Sequence, residues 1–178
     1  MFGVEILERE HQNILDMTRV LRGICHHMID MKDEPVADLT DCIAWIRTYA
    51  DAHHHGKEEE ILFAEMTKHG GPAADKLVGA MLIEHDMGRF HMGELEKALA
   101  KDAGDPDALL DAITHASGYA QLLVRHATKE DTVVYPFAQR MLPQEVLDDV
   151  DRRTHSFEDA TDMAEYEAVL ERMKAKYL

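Results

Sequence analysis

Apolar residues recur along most of the chain at alternating steps of three and four positions. This period places them on one face of an α-helix. Four long stretches show it, with apolar faces running through residues 4–28, 39–65, 77–99 and 109–141. No stretch shows the strict alternation that is typical of a half-buried strand. The pattern therefore predicts an all-α fold.

Short polar breaks separate the four stretches. The first break is DMKDEPVAD, around Pro35. The second is KHGGPAADK, in which the second helix ends before Pro72. The third is KDAGDPDA, with Gly104 and Pro106. Glycine and proline at such places end helices, and short connections favour neighbouring antiparallel helices. We expect an up-down-up-down four-helix bundle over residues 1–142. Residues 144–155 and 162–178 predict two further helices, in a C-terminal extension (143–178) packed on the outside of the bundle.

Histidines and glutamates interrupt the apolar faces at mid-helix. The segment ADAHHHGKEEEILFAEM (50–66) places three histidines before three glutamates, and successive helical residues point about 100° apart, so they cannot all face inward. The apolar face of the second helix selects one residue from each triplet. Six polar residues fall on the four apolar faces, and we take them as candidate metal ligands. They are His11, His54, Glu58, His85, His126 and Glu130.

An internal repeat selects the same residues in the second and fourth helices. HHGKEEEILFA (from residue 54) and HATKEDTVVYP (from residue 126) share His, two residues, Lys, Glu, an acid, two residues, an aliphatic residue and an aromatic residue. EREHQNI (8–14) and LIEHDMG (82–88) each place Glu-His at mid-helix. The chain is therefore expected to consist of two helical hairpins related by a pseudo-twofold axis.

A metal pair explains why such groups would face a core. Buried carboxylates and imidazoles are costly without a compensating charge, and the apolar faces carry no Lys or Arg. His and Glu at i and i+4 lie on one side of a helix and can reach one centre. We expect one metal on His11 and His54 and another on His85 and His126. The two glutamates would bridge them.

The four quoted segments that contain the candidate ligands resemble those of the hemerythrin-like, or HHE cation-binding, family. They occur in the family's order, and the resemblance covers residues 4–142. The resemblance implies a four-helix bundle around a non-haem di-iron centre, with the six candidate residues as ligands. Its cofactor would be two iron ions (Fe2+/Fe3+) with an oxo or hydroxo bridge. Mixed imidazole and carboxylate ligands would also accept manganese or zinc.

The sequence departs from the oxygen-carrying members in two places. Arg89 stands where the carriers have a fifth histidine, and Glu130 follows His126 by four residues rather than five. Each iron would then have four protein ligands, which argues against simple oxygen transport. An added ligand could come from His55, Glu59 or Asp131.

Composition limits the partners and the compartment. The formal net charge of −16 disfavours nucleic acid and anionic membrane surfaces as partners. Two cysteines make no disulfide framework, no apolar run reaches membrane-spanning length, and the N-terminus shows no signal-peptide pattern, so we expect a cytoplasmic protein. The expected partner is a small diatomic molecule or peroxide; no protein partner is indicated.

Three functions compete. The first is a di-iron protein that binds or senses oxygen, nitric oxide or peroxide, which we favour over a committed enzyme. The second is a di-iron oxidoreductase or an iron-donating stress or repair protein. The third is a structural bundle whose histidines bind zinc adventitiously. A ferritin-like oxidase is disfavoured because it needs Glu-x-x-His on two helices and only Glu8 to His11 fits. A zinc hydrolase is disfavoured because His-Glu-x-x-His is absent.

Other residues receive weaker assignments. Tyr119 is expected in the core, with a hydrogen bond toward the metal pocket as the alternative. Gly88 either leaves space for a small ligand or permits close helix packing. Lys57 and Lys129 are expected at the surface. The histidines without shared spacing, which we do not expect to be ligands, are His26, His27, His53, His69, His91, His115 and His155.

Overall fold

The computed structural model describes residues 2–32, 34–102, 105–160 and 163–178. All regular structure in these ranges is helical, as the apolar period predicts. Asp33, Gly104 and Asp162, which belong to predicted breaks or helix starts, lie outside the described residues. No described helix is both long enough and apolar enough to cross a membrane.

Seven α-helices make up the described fold. They are α1 (Phe2–Met31), α2 (Val36–Trp45), α3 (Phe63–Leu99), α4 (Ala108–Lys129), α5 (Tyr135–Met141), α6 (Gln144–Asp159) and α7 (Ala164–Tyr177). Helix α3 is kinked at the predicted second break, where Gly71 has φ of 60° and Pro72 follows. A positive φ is readily available only to glycine, so the chain can turn there without a loop.

Three π-helical segments join some of these helices into longer rods. Ile46–His55 and Glu58–Leu62 connect α2 to α3, and Glu130–Val134 connects α4 to α5. A π-helix bonds i to i+5 and so carries extra residues per turn; such turns occur frequently at functional sites. Here they contain His54, Glu58 and Glu130 themselves.

The wider turn shifts the helical register after Glu130. Continuation of the apolar face predicts Val133 inside, but Val133 is 47% exposed and Val134 is buried instead. Phe137 and Met141 are only partly buried, whereas Tyr135 and Ala138 are fully buried. The prediction for this last part of the fourth apolar face was therefore wrong, because it assumed an unbroken 3.6-residue period.

Two apolar clusters surround a polar layer. One contains Ile14, Ala50, Met92 and Leu123, and the other contains Leu7, Ile61, Met81 and Val134. Helix α4 packs along both α1 and α3. In each rod, the candidate ligands lie between a residue of one cluster and a residue of the other, so the polar residues occupy the middle of the helical assembly.

Both predicted C-terminal helices are present. Helix α6 packs on α1 and on Glu58–Leu62, and α7 packs on α1 and α2. Trp45 anchors α7 by donating a 2.9 Å hydrogen bond from Nε1 to the Tyr166 carbonyl oxygen. Gly23 permits the close approach of α1 to the backbone at Tyr177, where a Cβ would collide with the carbonyl oxygen.

Candidate metal centre

The six candidate ligands lie together in the polar layer. His11 comes from α1, His85 from α3 and His126 from α4, while His54, Glu58 and Glu130 come from the π-helical segments. Each is at most 1% exposed. Their convergence agrees with the sequence pattern; their role as ligands stays a prediction.

The four histidines form the two pairs that the repeat predicts. The Nε2 atoms of His11 and His54 are 3.1 Å apart, and those of His85 and His126 are 3.2 Å apart. In both pairs the Nε2 atoms point toward the middle of the layer, so one cation could be reached by both members of a pair.

Each glutamate contacts at least one histidine of each pair, and Glu130 also lies 3.9 Å from His85 through Oε1. Glu58 Oε2 lies 3.8 Å from His54 Nε2 and 3.4 Å from His85 Nε2. Glu130 Oε2 lies 3.2 Å from the Nε2 atoms of both His11 and His126. Both carboxylates therefore lie between the pairs, where a bridging ligand would have to be.

A carboxylate holds the outward Nδ1 atom of each of these four histidines. The Nδ1–oxygen distances are 2.7 Å for His11–Asp131, 2.8 Å for His54–Glu10, 2.7 Å for His85–Glu59 and 3.0 Å for His126–Glu84. An ionised carboxylate only accepts hydrogen bonds, so a neutral imidazole in this position carries its proton on Nδ1. The Nε2 lone pair is then free for a metal.

The carboxylates also set the protonation of the cluster when no cation is bound. Burial would lower the pKa of His11, but the hydrogen bond to Asp131 and the Glu130 carboxylate raise it to about 10. For His85, burial is likewise outweighed by Glu130, Glu58 and Glu59, and its pKa rises to about 11. The neighbouring imidazoles hold the pKa of Glu130 well below its ordinary value despite burial. The cluster thus needs positive charge, from protons or from metal.

The unpaired oxygens in the layer fit metal ions better than protons. Glu58 Oε2 and both Glu130 carboxylate oxygens are buried and have no partner with hydrogen-bond geometry among the described residues. Unsatisfied buried carboxylate oxygens are costly. Four imidazole Nε2 atoms and these oxygens match the donor set of a site for two first-row transition-metal ions.

The sequence offers His55, Glu59 and Asp131 as possible additional ligands. The structure places them in two different positions relative to the centre. Glu59 and Asp131 bind the outward Nδ1 atoms of histidines and thereby orient them. His55 is buried and stacks on His85, with ring centroids 3.7 Å apart. It can offer a ligand atom within 4.8 Å of those of Glu58, His85 and His126. Burial lowers the pKa of His55 to about 3, so this imidazole is neutral at neutral pH.

Sequence reasoning missed Tyr135. Its hydroxyl donates a 2.6 Å hydrogen bond to Glu58 Oε1, and its ring stacks on His11 with centroids 5.7 Å apart. The signal was available, because Tyr135 is the aromatic position of the repeat and aligns with Phe63. Phe63 in turn stacks on His85, with centroids 6.0 Å apart. The two halves of the site therefore match in their contacts as well as in their sequence.

Lys57 is also placed differently from expectation. It is 1% exposed, and its ammonium bonds Glu10 and Glu158 and lies 2.9 Å from His53 Nε2. The expected surface position is wrong because α6 covers this side of the molecule and brings Glu158 onto the lysine. Lys129, the repeat partner, bonds Glu84 and is 47% exposed, as expected for a surface residue.

The fold and the site define an all-helical protein with a buried histidine–carboxylate centre suited to cations. Comparison with protein families agrees: the hemerythrin HHE cation-binding domain matches residues 3–138, and the chain belongs to this family. Comparisons with curated proteins and with solved structures gave no match.

Proposed function

We propose that the chain is a cytoplasmic non-haem di-iron protein that binds or senses oxygen, nitric oxide, peroxide or a related small molecule. The observation that carries this proposal is that Glu58 and Glu130 each contact histidines of both pairs. A single-metal site would need no carboxylate between two histidine pairs. The proposal includes an up-down-up-down arrangement of the four long rods, with residues 1–142 as the metal-binding unit.

The ligand set of each pair favours iron chemistry over a closed structural site. Each ion would have two imidazoles and a share in two carboxylates from this chain, fewer donors than an octahedral ion takes. Two iron ions held there would supply redox chemistry and coordination positions open to a small molecule. The chain's own part is to fix the imidazoles through their Nδ1 carboxylates and to hold the centre between the two apolar clusters.

The same open coordination is what favours the alternative of a di-iron oxidoreductase or an iron-donating protein. Both functions need the centre, and they differ in what happens after the small molecule binds. A reversible spectral change on adding oxygen or nitric oxide supports binding or sensing. Repeated consumption of peroxide or nitric oxide with an added reductant supports the oxidoreductase.

The test is metal content and visible spectra of protein purified without oxygen. We expect about two iron ions per chain in the native protein and a loss of at least half of them in Glu58→Gln. Glu60→Gln is the matched control, since Glu60 lies in the same triplet but is exposed. Iron below one per chain, or full iron in Glu58→Gln, would contradict the proposal. Zinc at less than one per chain without a visible spectrum would support the adventitious alternative.

A further inference from the structure

A cavity of about 130 Å³ lies beside the second histidine pair. His55 and His85 form its inner wall, and Asp51, Gly88, Arg89 and Tyr119 contribute to the rest. The Arg89 side chain is 39% exposed while both histidines are buried, so the cavity extends from the surface to the candidate centre. It has room for several non-hydrogen atoms.

Tyr119 gives this cavity an unused hydrogen-bond donor. The side chain is 2% exposed, and its hydroxyl finds no partner among the described residues. A buried tyrosine hydroxyl normally has a partner, and leaving it unpaired destabilises the fold. Phenylalanine would fill the same space without that penalty, so the hydroxyl needs an explanation other than packing.

Gly88 creates the space on one half of the site only. When the first and third predicted helices are aligned on their histidines, Gly88, three residues after His85, matches Ile14, three residues after His11. Ile14 is buried in the apolar core. A Cβ on Gly88 would lie 3.5 Å from Tyr119 Cε2, an ordinary contact, so close packing does not require glycine there. His55 likewise aligns with Ala127. The cavity-forming residues are thus departures from the internal symmetry.

The arginines in the cavity wall are already paired with carboxylates. Arg89 Nη2 lies 2.7 Å from both Asp51 Oδ1 and Glu59 Oε1. Glu59 Oε1 in turn lies 2.7 Å from His85 Nδ1. Because Arg89 is already paired with these two carboxylates and with Asp86, the cavity selects by hydrogen bonding and size more than by net charge.

We propose that this cavity binds a small hydrogen-bond acceptor of a few non-hydrogen atoms, with Tyr119 as its donor, on the His85 side of the metal centre. The proposal rests on the proposed function, because it assigns the small molecule's position within that site. It places the ligand beside the His85–His126 pair and away from the His11–His54 pair.

Azide binding to the metal-loaded protein tests this assignment. Tyr119→Phe removes only the hydroxyl, and we expect azide affinity measured by visible titration to fall about tenfold, as for loss of a hydrogen bond to a charged ligand. Gly88→Ala narrows the cavity and should weaken azide by about tenfold or more. Crystals soaked in azide should show it within hydrogen-bond distance of the Tyr119 hydroxyl.

Matched variants separate these effects from general damage. Gly93→Ala changes the same helix where a Cβ meets nothing within 4 Å, and it should leave azide affinity within about twofold. Tyr49→Phe removes a buried hydroxyl that accepts a 2.7 Å hydrogen bond from Asn13 Nδ2. Tyr49 does not line the cavity, so azide affinity should be unchanged in that variant.

A measurement on metal-free protein adds an independent readout. We expect Tyr119→Phe to melt at the same temperature as the native protein or higher, whereas Tyr49→Phe should melt lower. A lower melting temperature for Tyr119→Phe would show that the hydroxyl is already satisfied within the protein, and would overturn the proposal.

Equal azide affinity in all variants with two metals bound would also overturn it, as would azide beside His11 and His54. Metal content below one per chain would instead overturn the proposed function, and with it the inference.

Discussion

Glu10 and His54 are joined by a buried hydrogen bond of 2.8 Å between Oε2 and Nδ1. The other oxygen of Glu10 is bonded by the Lys57 ammonium. Although burial would raise the pKa of Glu10, the hydrogen bonds from His53 and His54 hold it well below the ordinary value. Glu10 therefore stays ionised and keeps the His54 proton on Nδ1.

Replacing Glu10 should weaken metal binding without removing a ligand. We expect Glu10→Gln to lower metal affinity by about 10- to 100-fold, because the amide can present a donor to His54 Nδ1 and misorient the ring. Competition with a chelator measures the affinity. Glu8→Gln, an exposed change two residues away on the same helix, should have no effect. Equal affinities in the two variants would show that Glu10 does not orient His54.

The two lysines of the repeat should differ in their effect on stability. Lys57→Met leaves Glu10 and Glu158 without their buried cation, and we expect the free energy of unfolding to fall by about 3 kcal/mol. Lys129→Met removes an exposed pair with Glu84 and should cost less than about 1 kcal/mol. Urea denaturation of the metal-free proteins measures both. Similar losses in the two variants would contradict the buried role of Lys57.

Metal binding should release protons. With pKa values of about 10 and 11, His11 and His85 of the metal-free protein are protonated at pH 7. A cation binds the unprotonated Nε2 atom, so these protons must leave, and the apparent affinity should rise with pH between about 6 and 9. Calorimetric titration with Zn2+ in buffers of different ionisation enthalpy should report about two protons released. A heat independent of the buffer would refute this prediction.

Asp51 should contribute to stability above its unfolded-state pKa and lose that contribution in acid. Burial would raise the pKa of Asp51, but the His55 imidazole, 3.5 Å away, and the hydrogen bond from Arg89 lower it to about 2. The contribution is therefore complete above about pH 4 and is lost as the pH falls toward 2. We expect it to amount to about 1 kcal/mol, since the side chain is 29% exposed.

Acid denaturation of Asp51→Asn tests this. The stability difference between native protein and variant should shrink as the pH falls from about 4 to 2. Asp86→Asn is the control, because Asp86 also pairs with Arg89 but is 78% exposed. A difference that stays constant with pH would argue against the assigned interaction.

The sequence predicted the helices and the buried position of the six polar residues because both follow from which residues face inward. It failed where the helical period itself changed: the π-helical turn at Glu130 moves Val134 inward in place of Val133. It also failed for Lys57, whose burial depends on a helix far away in sequence. The cavity beside Gly88 and Tyr119 depends on space between three rods, which no single-helix pattern describes.

The contact between Glu158 and Lys57 has a consequence for how the chain can be divided. The family match ends at residue 138, yet one of the two carboxylates around the buried ammonium comes from α6. A fragment cut at that boundary would keep all six candidate ligands while hydrating Lys57 and loosening its hold on Glu10. Helix α6 thus supports the His11–His54 pair through its ion pair with Lys57. Removing that helix should disturb this pair before it disturbs the His85–His126 pair.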